Sequence, residues 1–422
     1  MRSARGPIAL AACLALLASG VGCLAPQVAP LGAEVTTATL ADDEAYLWKK
    51  TREVQHEIET SGLRYVDPAL DAYLAQVVGR VAPASLREAG LAPRVAVISD
   101  VQIHGYSFAN GVIYLHTALL SRMEDEGALA TVLTRELAHV IDRHTLRLKR
   151  EEKARADALA WLGVGATLSQ AGSGAQMLAQ AYSISSAIGF PHQLEVEADR
   201  KGLELLHAAG YDVRRTPAFF EGTIEYLAEL HPQGPLAWLA FAPPAPMTAR
   251  IAGYRSVIAE RYPDPVASAG LVPPIADAKR FRRLVRGATE RQAELELAAG
   301  LFLSAEKTAR LACDAAESDP APWLLLGRAL QGQRDKPLPG RKLPSIGDVR
   351  AAYRQALAID ARNAPATREL GLTYYRTTGR VRTAKSAQTA LQHLRRYLAL
   401  APEAQDADYV RAYIAELETD HP

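Results

Sequence analysis

Apolar residues recur at three- and four-residue spacing from Leu129 through Val132, Leu133, Leu137, Val140 and Ile141, which predicts a helix packed along one side. A second helix is expected around Glu195, Asp199 and Gly202. Glu195 and Asp199 share one face of it at i and i+4, and Gly210 is placed as its C-cap. Upstream, Val95 to Ile98 reads as a short strand, and Ser107 to Leu115 as strand, Asn110-Gly111 turn, strand. Ala158 to Leu194 carries no formal charge, but Gly163, Gly165, Gly172 and Gly174 interrupt it. It therefore reads as a buried helix followed by a loop rather than as a membrane span. Pro243, Pro244 and Pro246 mark a turn before a helix from Thr248, and Pro263 to Pro274 reads as a linker. From about Phe281 the pattern becomes pairs of helices rich in Ala and Leu.

The first residues follow a different logic. Arg2 and Arg5 form a positive n-region, Ile8 to Val21 an apolar run, and Gly20-Val21-Gly22-Cys23 resembles a lipobox. About 14 apolar residues are too few for a bilayer core of ~30 Å, which needs nearer 20. Residues 1–22 are thus read as a cleaved lipoprotein signal, Cys23 as the lipidation site and 23–45 as a tether. An ordinary secretory signal with an incidental cysteine is the alternative. Leu24, rather than Asp, follows the cysteine. That points to the bacterial cell envelope and to an outer-membrane anchor facing the periplasm. With Cys13 in the signal and Cys23 carrying lipid, Cys313 remains alone, so no internal disulfide framework is possible. The chain's 422 residues suffice for two domains with cores, and its net charge of +1 argues against nucleic-acid binding as its main task.

The chemistry concentrates at Arg135-Glu136-Leu137-Ala138-His139. This is H-E-x-x-H with the first histidine replaced by arginine. In the intact motif two histidines at i and i+4 hold Zn²⁺ and the intervening Glu acts as general base on a metal-bound water. A guanidinium stays protonated and offers donors only, whereas a zinc ligand must present a lone pair. A unit positive charge about 4 Å from a divalent ion costs roughly 8 kcal/mol at an effective dielectric near 20. His144, five residues past His139, is expected about 140° away on a continuous helix and so out of reach as a fellow ligand.

With Glu195-Val196-Glu197-Ala198-Asp199 downstream, the chain resembles the zinc metalloendopeptidases that include the CAAX prenyl protease, HtpX and the periplasmic BepA-type proteins. The likeness runs from about Glu53 to Arg255. It implies an α+β, mostly α, zincin-like metallopeptidase domain over 46–262, with a small sheet beside the metal helix. Position by position, it makes His139 the second histidine ligand, Glu136 the catalytic base, Glu195 the third ligand and Asp199 the partner that orients a ligand. Arg135 stands where the first ligand belongs. There are other departures. His104-Gly105 replace the usual Asn-Ala at the strand that accepts extended substrate, and Ala242 to Thr248, next to Arg250-Ile251, contains no histidine to cap a metal. His192 occupies a position where the family commonly has Arg, which makes it a further candidate ligand, with an unrelated surface histidine as the alternative.

After a linker at 263–280, residues 281–422 resemble tetratricopeptide repeats. Trp323 to Gly327 and Thr367 to Gly371 fall at the Leu-Gly position, and Ala352, Tyr353, Ala356 and Leu357 suit a repeat's second helix. Pro337 to Pro344 reads as an insertion, and Tyr374, Tyr375, Ala387, Leu391, Tyr397 and Pro402 continue the pattern. Such an α-helical solenoid binds peptides or protein partners. Arg376, Arg380, Arg382 and Lys385 read as a solvated basic face.

Two functional readings follow. One is a pseudopeptidase: an envelope lipoprotein that keeps the protease groove for extended protein segments, has lost the metal and serves protein quality control. The other is an active zinc metalloendopeptidase with an unusual ligand set of His139, Glu195 and His192, and with Glu136 as base.

Overall fold

The structure, a computed structural model, describes residues 28–32, 34–161, 189–230, 244–263, 278–316, 318–376 and 383–420. The signal, Cys23, residues 162–188, most of the linker, Arg380 and Arg382 lie outside the described residues.

Helix α1 (Asp42–Thr60) opens with Asp42, Asp43 and Glu44 in its first turn, where carboxylates favour the positive helix end. Helix α2 (Pro68–Val81) is capped by Asp67, whose side chain accepts from the Ala69 and Leu70 N–H groups. A short α3 (Ala84–Glu88) follows. Four strands, β1 (Arg64–Tyr65), β2 (Arg94–Ile98), β3 (Gly105–Ser107) and β4 (Val112–His116), form one mixed sheet in the order β1-β2-β4-β3. β2 and β4 are parallel, with Val95 opposite Ile113 and Ile98 opposite His116, while β1 and β3 run antiparallel at the edges. The expected Asn-Gly turn joins β3 to β4, with Gly111 at φ 80°, a backbone angle that glycine adopts without a Cβ penalty. Every residue of β4 is buried. Ile113 and Leu115 join the main core, while Val112 and Tyr114 pack with Tyr106, Phe108 and the α1 residues Val54 and Ile58.

After α4 (Thr117–Leu120), helix α5 (Glu126–Ile141) carries the degenerate motif, and Asp125 caps it by accepting from the Ala128 N–H at 3.0 Å. α5 ends at Asp142-Arg143, where Arg143 takes φ 52°, and α6 (His144–Trp161) begins on a new axis. Helix α7 (His192–Ala208) ends as expected at Gly210, with the Tyr211 N–H on Leu206 O and the Gly210 N–H on His207 O. This is the paired Schellman closure. Helices α8 (Thr216–Leu230) and α9 (Pro244–Arg261) complete the domain. α9 begins four residues before the expected Thr248. Pro244 and Pro246 fall in its first turn, whose N–H groups have no helical partner to lose.

The residues of 23–45 that are described are not a free tether. Leu31 is buried, its N–H bonds Ile141 O at 2.8 Å, Thr37 N–H bonds Ala89 O at 2.8 Å, and α1 already starts at Asp42.

The C-terminal part is a repetitive α-helical solenoid: α10 (Ala278–Ala298), α11 (Phe302–Ala315), α12 (Ala321–Asp335), α13 (Ile346–Ile359), α14 (Ala364–Tyr375), α15 (Ala384–Leu400) and α16 (Ala407–Asp420). A Cβ on Gly327 would stand 2.3 Å from the Tyr353 ring, and one on Gly371 would stand 3.0 Å from Leu394. The two Leu-Gly glycines therefore sit at close helix crossings. α10 belongs to both parts, because its Phe281, Val285 and Ala288 lie in the N-terminal domain's main core. Among the described residues no helix is long and apolar enough to cross a membrane.

Candidate functional site

The site is made where α7 crosses α5. Gly202 permits the approach, since a Cβ there would lie 3.2 Å from the Arg135 Cα and N. This brings Glu195 and Asp199 of α7 against Arg135 and Glu136 of α5. The Arg135 guanidinium donates from Nη1 to Glu136 Oε1 at 2.7 Å and from Nη2 to Glu195 Oε2. Its Nε lies 3.3 Å from Asp199 Oδ1 without the angle of a hydrogen bond. The Arg135 side chain is 17% exposed, against 1% for Glu136 and 13% for Glu195. Burial disfavours the charge, but Glu195, Glu136 and Asp199 outweigh it and hold the guanidinium pKa well above its ordinary value. Burial likewise pushes the Glu195 carboxyl up, and Arg135 with Arg250 overcomes that and lowers it. Glu195 Oε1 also accepts the Phe190 N–H at 3.0 Å. Ser107 of edge strand β3 donates to Glu136 Oε2 at 2.9 Å, so the sheet and the motif helix are joined at the site.

A second arginine completes the cluster. Arg250 of α9 donates to both Asp199 oxygens at 2.8 and 2.5 Å, and Tyr254 OH donates to Asp199 Oδ1 at 2.5 Å. Arg250 Nη1 is 3.7 Å from Glu195 Oε2. In the sequence, Arg250 is marked only by the lack of a histidine from Ala242 to Thr248. The positive partner itself had no signal, because it comes 51 residues after Asp199 on another helix.

His139 lies one turn along α5 and is 2% exposed. Its Nδ1 is 2.8 Å from His144 Nδ1, its ring stacks on Phe190 at 4.3 Å, and its Nε2 is buried without a hydrogen-bond partner. Burial, and then the nearby Arg135 charge, push its pKa well below the usual histidine value, so the ring is neutral. The expectation that His144 points away is corrected here. It assumed one continuous helix, and the left-handed backbone at Arg143 turns α6 so that the two imidazoles meet. His192 is exposed and lines a separate surface groove with Arg147 and Arg200.

Residues 68–252 match the sequence pattern of peptidase family M48. The stretch is similar to that family's domain over less than half of the chain. The Beta-barrel assembly-enhancing protease of Escherichia coli (strain K12) is 33% identical over 135 residues, which cover 31% of this chain and 28% of that protein. The protein of the same name from Yersinia pestis is 31% identical over 161 residues, 37% of this chain and 33% of that one. The Mitochondrial metalloendopeptidase OMA1 of Arabidopsis thaliana is 25% identical over 132 residues, 31% of this chain and 26% of its own length. Each match thus spans a third or less of the relative.

The likeness to the M48 family implies a potential zinc site. The residues present do not fit one. A fixed cation sits among the three carboxylates, and Glu136 and Glu195 both accept from it. Among the described residues no three His, Cys, Asp or Glu side chains are placed to hold a metal ion.

Proposed function

We propose that the chain is a pseudopeptidase: a lipid-anchored envelope protein, on the outer membrane facing the periplasm, that uses an M48 domain as a binding module in protein quality control. The observation that carries this reading is the Arg135 guanidinium bonded to Glu136 and Glu195. With both carboxylates engaged, Glu136 is not free to act as a base. Extended envelope-protein segments are the expected occupants beside β3, the short edge strand that Ser107 ties to Glu136. The solenoid, read as tetratricopeptide repeats, takes a protein partner. Zinc plays no part in this reading.

The competing reading, an active endopeptidase, draws on one observation: His139 Nε2 is buried and unpartnered. Activity separates the two. Purified protein incubated with casein and added zinc is expected to yield no cleavage above that of Glu136→Gln. Chelator-sensitive cleavage that disappears in Glu136→Gln would establish the enzyme instead.

A further inference from the structure

We propose that the face made by the C-terminal end of α5, the start of α6 and the outer side of α7 lies against the lipid headgroups of the membrane that carries the Cys23 anchor. The inference rests on the lipoprotein reading above and adds to it an orientation, which follows from where the chain is pinned. Arg143 Nη1 donates to Ala29 O at 2.9 Å, and the Leu31 N–H donates to Ile141 O at 2.8 Å. Leu31 itself is 3% exposed. Arg143 is in turn held by Glu44, with Nε on Oε1 at 3.0 Å. The chain is therefore fastened to the end of α5 from Ala29 onward.

Cys23 and Val28 are five positions apart. Five extended residues reach at most about 17 Å, whereas a free tether over the whole of 23–45 would reach about 75 Å. A lipidated Cys23 thus confines the end of α5 to the neighbourhood of the headgroup layer. At the exit point Val28 and Pro30 form one wall of an open groove of about 690 Å³. Its other walls carry Arg147, Arg200 and Lys201 together with Asp142, Glu197 and Glu204. Arg147 is bonded to Glu197 at 2.6 Å and Glu204 to Arg261 at 2.9 Å, which leaves Arg200 and Lys201 beside Asp142 to meet the phosphate and the ammonium of a zwitterionic headgroup. Because the same two helices carry Arg135 and Glu195, the site itself is held close to the membrane.

The test uses the full, lipidated chain in liposomes of phosphatidylethanolamine and phosphatidylcholine that include a headgroup spin-labelled lipid. Cys313→Ser removes the remaining thiol, and Arg200→Cys carries a fluorophore. Its quenching is expected to fall at least about threefold when twenty Gly/Ser residues are inserted after Leu24, since such a linker adds about 25 Å of mean reach. Equal quenching with and without the insertion, in protein whose N-terminal peptide carries lipid by mass spectrometry, overturns the orientation alone. An unlipidated protein that partitions into the aqueous phase overturns the anchor as well.

Discussion

Glu136, Glu195 and Asp199 place three carboxylates around one guanidinium, and Arg250 adds a second positive charge from α9. Buried carboxylates left without a counter-charge are expensive, and removing one partner of a buried pair costs about 3–5 kcal/mol. Arg135→Ala is therefore expected to lower the urea unfolding free energy by about 3 kcal/mol. A loss below about 1 kcal/mol would mean that the pair is only a surface contact. A different residue sets a pH dependence. His116 is 1% exposed, and burial, then His104, push its pKa down to about 3, against the partial support of Gln102 O. Asp100 faces it at 3.7 Å. The folded chain thus binds fewer protons than the unfolded chain below about pH 6.5. The stability owed to neutral His116 is complete above that pH and is lost as pH falls from there toward 3, by up to about 1.4 kcal/mol per unit. His116→Gln should flatten that part of a urea titration measured across pH.

At the scale of elements, the crossing of α5 and α7 governs the site, and Gly202 governs the crossing. Gly202→Ala would put a Cβ 3.2 Å from the Arg135 backbone, where only movement of a helix can relieve it. The expected cost is about 1–3 kcal/mol in denaturant unfolding, and an unchanged unfolding free energy would contradict the close crossing. These two helices were legible from local pattern: the apolar stripe of α5, the i, i+4 pair Glu195 and Asp199, and the Gly210 stop all depend on neighbours in sequence. The strand, turn and strand before them were legible for the same reason. The rest of the cluster was not. Arg250 and Tyr254 arrive from α9, and Phe190 lies over the His139 ring. His144 reaches His139 only because Arg143 adopts φ 52°. Such meetings are decided by tertiary packing and by one backbone angle, neither of which has a periodicity to read.

For the whole molecule, the division into a peptidase-like domain and a solenoid does not coincide with the division of the core. Phe281, Val285 and Ala288 of α10 are buried in the N-terminal domain, and Thr117 Oγ1 donates to Gln292 Oε1 across the same junction at 2.7 Å. A chain ending at 277 would leave that core surface uncovered, at about 1.5–3 kcal/mol for each large apolar side chain lost. It is expected to unfold at lower temperature than a chain ending at 298, which retains α10; equal melting by circular dichroism would contradict the shared core. The central claim is that a guanidinium takes the place of a metal ion, and it is tested most directly on the intact folded chain. Native mass spectrometry of wild-type protein after exposure to equimolar zinc is expected to give the mass of the chain without metal, while Arg135→His shifts toward one bound zinc. One chelator-removable zinc per wild-type chain, absent in His139→Ala, would contradict the account.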